Sequence, residues 1–149
     1  MTVERYNRRM ADYHFYHPVE VFYGDLDPQG HVNNARHLTY FEQARVHYFV
    51  HLGLFDSGQS FLDVGVIIAD IHIAYHAPLV WGVPVQTGVR TVKFGTKSST
   101  VEQAVVQSET GVVFASGAVV LVAFDYRKNT SIAVPEPWRE KVKAFEGML

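Results

Sequence analysis

Hydrophobic positions change their period along the chain, and each change marks a predicted element. From residue 15 to residue 23 they recur at every second position, which indicates a strand. From Asn33 or Asn34 to about Leu52 they follow a 3.6-residue period, which predicts one long helix capped by asparagine and stopped at Gly53. The apolar stripe is broad, so we expect this helix to be largely enclosed.

The period returns to two after a loop at residues 54–63. Four further strands are predicted at residues 64–77, 83–94, 99–108 and 112–126. Their short connections favour an antiparallel sheet, and a twisted sheet is the surface that a broadly apolar helix needs. With a short C-terminal helix near Pro137, we predict an α+β protein whose long helix is wrapped by five antiparallel strands.

The last of these strands is apolar on both faces. One face carries Val112, Phe114, Val120, Val122 and Phe124, and the other carries Val113, Val119 and Leu121. A sheet that covers a helix with one face should present its other face to water. The second apolar face therefore indicates that another subunit covers it.

Composition limits the class of protein. A chain of 149 residues fits one domain, which we place at residues 13–149, after a polar and basic N-terminal arm at residues 1–12 that we expect to be flexible. A net charge of −2 argues against nucleic acid as a partner. The absence of cysteine excludes disulfides and thiolate chemistry. Without a secretory signal or an apolar run of about 18 residues, we expect a cytoplasmic protein with no membrane span.

The turn before the long helix concentrates reactive side chains, with Asp25, Asp27 and His31 ahead of Asn33 and Asn34. A helix N-terminus offers unpaired N–H groups and about half a positive charge, which suits an oxyanion. Asp27 is close enough to fold over that end, where its carboxylate could attack a carbonyl or activate water. Asp25 is a candidate supporting residue of the site, although hydrogen bonding to turn amides is the favoured interpretation. His31 could orient the carboxylate or water, or serve only the turn.

Residues 23–45, YGDLDPQGHVNNARHLTYFEQAR, resemble the motif of hotdog-fold acyl-CoA thioesterases. The part G-D-x-D-P-x-G is similar to the turn of 4-hydroxybenzoyl-CoA thioesterase, and HVNNAR looks more like the long-chain acyl-CoA thioesterases. The resemblance implies hydrolysis of a fatty or aromatic acyl-CoA without metal, cofactor or serine nucleophile. Coenzyme A would enter only as part of the substrate.

The resemblance also implies roles for residues. The family's catalytic carboxylate falls on Asp27, and the backbone N–H that polarises its thioester carbonyl falls near Asn34. Its active site lies between two subunits, so a homodimer is the implied minimum, with a homotetramer left open. The family's coenzyme A contacts fall in the connection at residues 93–99, where Lys93, Thr96, Lys97, Ser98 and Ser99 are candidates, with Arg90 as a weaker one.

Two further sets of side chains have structural interpretations that compete with functional ones. Asn33 is first a helix cap, and Glu42 lies within reach of Arg45 for an ion pair, although both are candidate supporting residues of the site. His47 and His51 are spaced like zinc ligands, but no third ligand is in register, so no metal is expected.

Two other functions remain open. An enoyl-CoA hydratase of the same fold resembles D-x-N-P-x-H, from which Pro28 and Gly30 depart in spacing. A non-catalytic acyl-CoA-binding or regulatory protein of this fold would not need Asp27 and His31. Nothing in the sequence indicates the length of the acyl chain.

Overall fold

The computed structural model describes residues 13–55 and 63–149. The helices are α1 (Asn34–His51) and α2 (Glu136–Glu146), and a 3₁₀ turn occupies Tyr23–Asp25. The strands are β1 (Phe15–Val19), β2 (Val64–Tyr75), β3 (Val85–Phe94), β4 (Ser98–Gln107), β5 (Val113–Asp125) and β6 (Thr130–Ser131). The predicted arm at residues 1–12 and most of the loop predicted at residues 54–63 lie outside the described residues.

All strands belong to one antiparallel sheet in the order β1-β3-β4-β5-β2, and the short β6 pairs with β5. The predicted five-stranded antiparallel sheet around a long helix is confirmed, with β6 as an addition. The expectation of hairpins between consecutive strands is wrong for β2, which pairs with β5 from Val64↔Asp125 to Tyr75↔Ala115. Residues 76–84 carry the chain across the end of the sheet to β3, so β2 lies at an edge.

Helix α1 begins and ends where its sequence predicts. The side chain of Asn33 accepts a hydrogen bond from Ala35 N at 2.9 Å, and Gly53 has φ +72° just after the C-cap. Phe41, Ala44 and Tyr48 are fully buried against the sheet, with strand residues Val89, Val101, Val105 and Val119. The expectation of an enclosed helix holds for this face only, because Leu38, Val46 and Val50 on the other side are exposed.

Both faces of β5 are apolar, although a register shift changes their membership. Val119 and Leu121 face the helix and are buried, whereas Val120 and Val122 are partly exposed. The β4–β5 register shifts between Val105 and Val106, and the side chain of Phe114 consequently lies in the main core. The prediction that Phe114 shares a face with Val120 is therefore wrong, because a bulge interrupts the alternation.

The C-terminal helix α2 closes the sheet beyond the end of α1. Val142 is buried, and the ring of Trp138 meets that of Phe55 edge-on at 5.5 Å. Tyr48 donates a hydrogen bond to Glu146 Oε1 at 2.7 Å, and Arg139 donates to the carbonyl of Thr96 at 2.9 Å. These contacts join α2 to both α1 and the β3–β4 turn.

Candidate active site

The turn between β1 and α1 holds Asp27 in a fixed position. Asp27 Oδ1 accepts hydrogen bonds from Gln29 N at 2.9 Å and from His31 N at 3.3 Å. In the backbone, Asp27 N donates a hydrogen bond to the carbonyl of His31 at 2.8 Å. Gly30 permits the turn with φ +79°. No hydrogen bond to Asp27 Oδ2 is found among the described residues, so this half-exposed carboxylate keeps one oxygen for chemistry.

The start of α1 lies against the same turn. Asn33 N donates to the carbonyl of Asp25 at 2.9 Å, and the Asn33 side chain occupies the Ala35 N–H. Asn34 is the first helical residue, and its N–H has no intrahelical acceptor because an α-helix leaves its first four N–H groups unpaired. The helix therefore presents a donor and its positive dipole end beside the aspartate turn.

A second segment supports this arrangement from the side. Val32 N donates to the carbonyl of Leu79 at 2.8 Å, and His31 forms a β-bridge with Val80. Val32 and Leu79 are both buried. The connection between β2 and β3 therefore packs against the turn. The backbone N–H and carbonyl of His31 both bond to Asp27, while the His31 side chain is exposed.

Asp25 has a different environment from Asp27. Its residue exposure is 6%, and its Oδ2 accepts hydrogen bonds from Tyr40 Oη at 2.7 Å and from Phe22 N at 3.1 Å. Arg36 Nε lies 3.5 Å from Asp25 Oδ1. Both carboxylate oxygens of Asp25 thus have partners beside the turn, whereas in Asp27 only Oδ1 accepts hydrogen bonds from described residues.

Two residues beside the helix start were not found from the sequence. Tyr75, at the end of β2, donates a hydrogen bond to the carbonyl of Asn34 at 2.9 Å and is 46% exposed. His37 is 3% exposed and packs edge-on between the rings of Tyr40 and Tyr75. Burial lowers the pKa of His37 to about 4, so its imidazole is neutral near pH 7. Alternation placed Tyr75 on a strand face, but only the sheet order brings it to α1.

Glu42 is not brought to the aspartate turn. It is exposed and lies eight residues after Asn34, which is about 12 Å along the helix axis. Burial lowers the pKa of the nearby Arg45, and the charge of Glu42 offsets part of this effect. Arg45 is buried and donates to Gln103 Oε1 at 2.9 Å.

The candidate coenzyme A residues lie at the other end of the sheet. Lys93, Thr96, Lys97, Ser98 and Ser99 surround the β3–β4 turn, whereas the aspartate turn packs near the start of β3. The ten residues of β3 span about 30 Å, so one protomer does not bring the two groups together. Lys97 Nζ donates to Ser131 Oγ at 3.2 Å.

Arg90 is engaged by other residues. Its Nη2 lies 2.6 Å from Glu102 Oε2, and its guanidinium stacks 4.9 Å from the centroid of the Tyr13 ring. Near the C-terminal end of α1, Phe49, Phe94 and Trp138 line an apolar pocket under α2, also away from Asp27. Within residues 13–55 and 63–149, no group of three His, Asp or Glu side chains is arranged to hold a metal ion.

Comparison with known proteins decides the family. The model of the thioesterase-like superfamily matches residues 21–144. The chain belongs to this superfamily. Long-chain acyl-CoA thioesterase FadM of Escherichia coli (strain K12) is 28% identical over 120 residues, which cover 79% of this chain and 89% of that protein.

Solved structures extend the comparison to the fold. A thioesterase from Thermus thermophilus, complexed with coenzyme A and Zn, is 34% identical with a TM-score of 0.79, covering 93% of this chain and 98% of its own. The PA5185 protein from Pseudomonas aeruginosa strain PAO1 is 24% identical with a TM-score of 0.82, and the match covers 91% of this chain and 94% of that one. The protein is a thioester hydrolase with the hotdog fold, which confirms the resemblance stated above. In the described part of the chain, neither helix is long and apolar enough to span a membrane.

Proposed function

We propose that the protein hydrolyses acyl-CoA thioesters to the free acid and coenzyme A, in the cytoplasm, with Asp27 as general base or nucleophile. The observation that carries this proposal is the hydrogen-bonded turn that fixes Asp27 in the segment leading directly into the N-terminus of α1. A thioester carbonyl needs both a group that delivers oxygen to its carbon and a donor for the developing oxyanion. Acyl-CoA as the substrate is supported by the acyl-CoA thioesterase FadM and by the coenzyme A complex from Thermus thermophilus.

Two routes use the same residues. In the first, Asp27 Oδ2 takes a proton from water, the hydroxide attacks the carbonyl carbon, and the Asn34 N–H stabilises the oxyanion. The C–S bond then breaks, and the coenzyme A thiolate takes up a proton. In the second, the Asp27 carboxylate attacks directly and forms an anhydride with release of coenzyme A, which water then hydrolyses.

Replacement of Asp27 tests this role. Asp27→Asn keeps the shape of the side chain and removes the base, so we expect kcat for thiol release to fall by about 10²–10⁴-fold. Asp125→Asn is a matched control, because Asp125 Oδ1 also accepts two turn amides, from Arg127 and Lys128 at 3.0 Å. A panel of short, long and aromatic acyl-CoAs would also identify the preferred acyl group.

Each result of this assay has a clear meaning. Undiminished hydrolysis by Asp27→Asn contradicts the assignment. Tight acyl-CoA binding without thiol release by the wild type favours a binding protein instead. Addition of water to crotonyl-CoA favours a hydratase.

The proposed active unit is a homodimer formed through the edge of β2. Within the described part of the sheet this twelve-residue strand pairs on one side only, with β5. Along that strand, Ile68 is 45% and Ile71 is 37% exposed. An unpaired strand edge flanked by apolar side chains is suited to pairing with a second copy.

Such a dimer would bring the proposed coenzyme A residues to the active site. Val122 pairs with both Ile67 and Ser98, so the start of β2 and the β3–β4 turn share one end of the sheet. Antiparallel pairing of two β2 strands would place that end of the partner beside Asn34. We therefore propose that Lys93 and Lys97 of the partner subunit bind coenzyme A phosphates.

Two variants and one control test the dimer and the phosphate site. Ile71→Asp should give a monomer by analytical ultracentrifugation, while Val92→Asp, at an exposed valine of β3 away from this edge, should not. Lys97→Glu should raise KM for acyl-CoA without a matching loss in kcat. An Ile71→Asp protein that still sediments as a dimer rules out this interface, and dissociation of a tetramer to dimers by Val92→Asp reveals a second one.

A further inference from the structure

Asp25 joins the aspartate turn to α1 through both its backbone and its side chain. Its carbonyl accepts the Asn33 N–H at 2.9 Å, and its carboxylate accepts the Tyr40 hydroxyl at 2.7 Å. Asn33 and Tyr40 belong to the cap and the second turn of the same helix. The helix therefore holds Asp25 through the side chain of Tyr40, and Asp25 in turn accepts the backbone N–H of the N-cap residue Asn33.

Tyr40 is built for this contact. It is 6% exposed, and its ring packs edge-on against the buried His37. Burial, and then the hydrogen bond to Asp25, raise the pKa of the Tyr40 hydroxyl far above its usual range, so this hydroxyl keeps its proton and donates. A donor is what a buried carboxylate needs, because an unsatisfied buried charge is costly.

We infer that Tyr40 is a positioning residue, which sets the placement of Asp27 relative to the Asn34 N–H by holding the Asp25 carboxylate. Asp27 follows Asp25 by two residues, and Asn34 follows Asn33 directly, so any shift of Asp25 moves both reacting groups. This inference rests on the proposed function, because it assigns Tyr40 a part in the same site. A misplacement of about 1 Å in an active site can cost about 100-fold in rate.

The chain contains a matched control for this inference. Tyr48 lies on the same helix, is fully buried, and donates to a carboxylate oxygen of Glu146 at the same distance, 2.7 Å. It lies about two turns further from the helix start. Tyr40→Phe and Tyr48→Phe therefore remove the same atom from two buried tyrosines in different halves of α1, and Tyr48 Oη additionally bonds Thr91 N at 3.3 Å and Thr91 Oγ1 at 3.1 Å.

The two variants should separate positioning from stability. We expect both to lower the free energy of unfolding by about 1–3 kcal/mol, as measured in urea. Only Tyr40→Phe should lower kcat for acyl-CoA hydrolysis, by about 10–100-fold, with KM within about twofold of the wild type. Amide hydrogen exchange supplies a readout without substrate. The Asp27 and Asn33 amides should exchange faster than in the wild type in Tyr40→Phe, and at the wild-type rate in Tyr48→Phe.

The outcomes are distinguishable from one another. Equal kcat in the two variants, with unchanged exchange at Asp27 and Asn33, overturns the inference. A Tyr40→Phe protein that fails to fold while Tyr48→Phe folds overturns it as well, since the role is then structural. If the wild type releases no thiol from any acyl-CoA, the proposed function fails, and the exchange comparison alone decides the inference.

Discussion

Acidification should destabilise the protein through His37. This imidazole is 3% exposed beside the helix start, and its Nδ1 has no hydrogen-bond partner within the described part of the chain. Its pKa is lowered by burial from 6.5 to about 4 in the folded protein. Between these values the unfolded chain binds a proton that the folded chain does not, so stability is present above pH 6.5 and is lost progressively towards pH 4.

The size of this effect follows from the shift. One pKa unit corresponds to about 1.4 kcal/mol, so lowering by about 2.5 units gives about 3 kcal/mol at pH 4 and about 2 kcal/mol at pH 5. For a domain of this size, 2 kcal/mol is a large part of the total free energy of unfolding, which is about 5–15 kcal/mol. The start of α1, and with it the Asn34 N–H, should be the region most affected.

Urea unfolding at pH 7 and pH 5, followed by circular dichroism, measures this difference. His37→Phe keeps the ring contacts with Tyr40 and Tyr75 and removes the titration, so its stability difference between the two pH values should be smaller than that of the wild type by about 2 kcal/mol. His72→Phe makes the same change at an exposed position of β2 and should keep the wild-type difference. An identical pH difference in His37→Phe and wild type would refute the reasoning.

Three other substitutions have defined outcomes. In Gly117→Ala the added methyl would overlap the backbone carbonyl of His72, so β2 and β5 must separate locally, and thermal unfolding should show a loss of several kcal/mol. Burial raises the pKa of the Glu146 carboxyl above 4.5, so the stability contributed by the protonated carboxyl is lost as pH rises. In urea titrations, Glu146→Gln should therefore become more stable relative to the wild type between pH 4.5 and pH 7. Asn33→Ala removes the acceptor of the Ala35 N–H, and calorimetry should show a loss of about 1 kcal/mol, whereas no change would dismiss the cap.

Local signals in the sequence predicted the elements well. Asn33 and Gly53 define the ends of α1 because a cap and a positive φ depend on adjacent residues only. Strands β2 to β5 were placed within about two residues for the same reason, since alternation is a local property, whereas β1 ends at Val19 and not at residue 23 as predicted. The neighbours of β2 were not predictable in this way, because the pairing of Val64 with Asp125 is decided by packing across the whole chain.

The same distinction applies to the candidate site. Asp27 and Asn34 are close in sequence, so local signals sufficed to predict that a turn holding Asp27 leads into the helix that begins at Asn34. Tyr40 and Tyr75 reach the site through the fold, and the sequence showed them only as apolar positions of a helix and a strand. The β3–β4 turn was predicted next to the site from resemblance, although in one protomer β3 keeps them about 30 Å apart.

The edge position of β2 has a consequence for synthesis of the chain. Its pairing partner β5 begins at residue 113, about 40 residues after β2 ends at Tyr75. At roughly 5–20 residues per second, a ribosome needs several seconds to make the segment up to residue 125. During that interval the isoleucines of residues 64–75 have no strand to pair with, so the nascent chain exposes a β-prone segment before its fold can protect it. Conditions that slow translation between residues 75 and 125 would prolong this exposure.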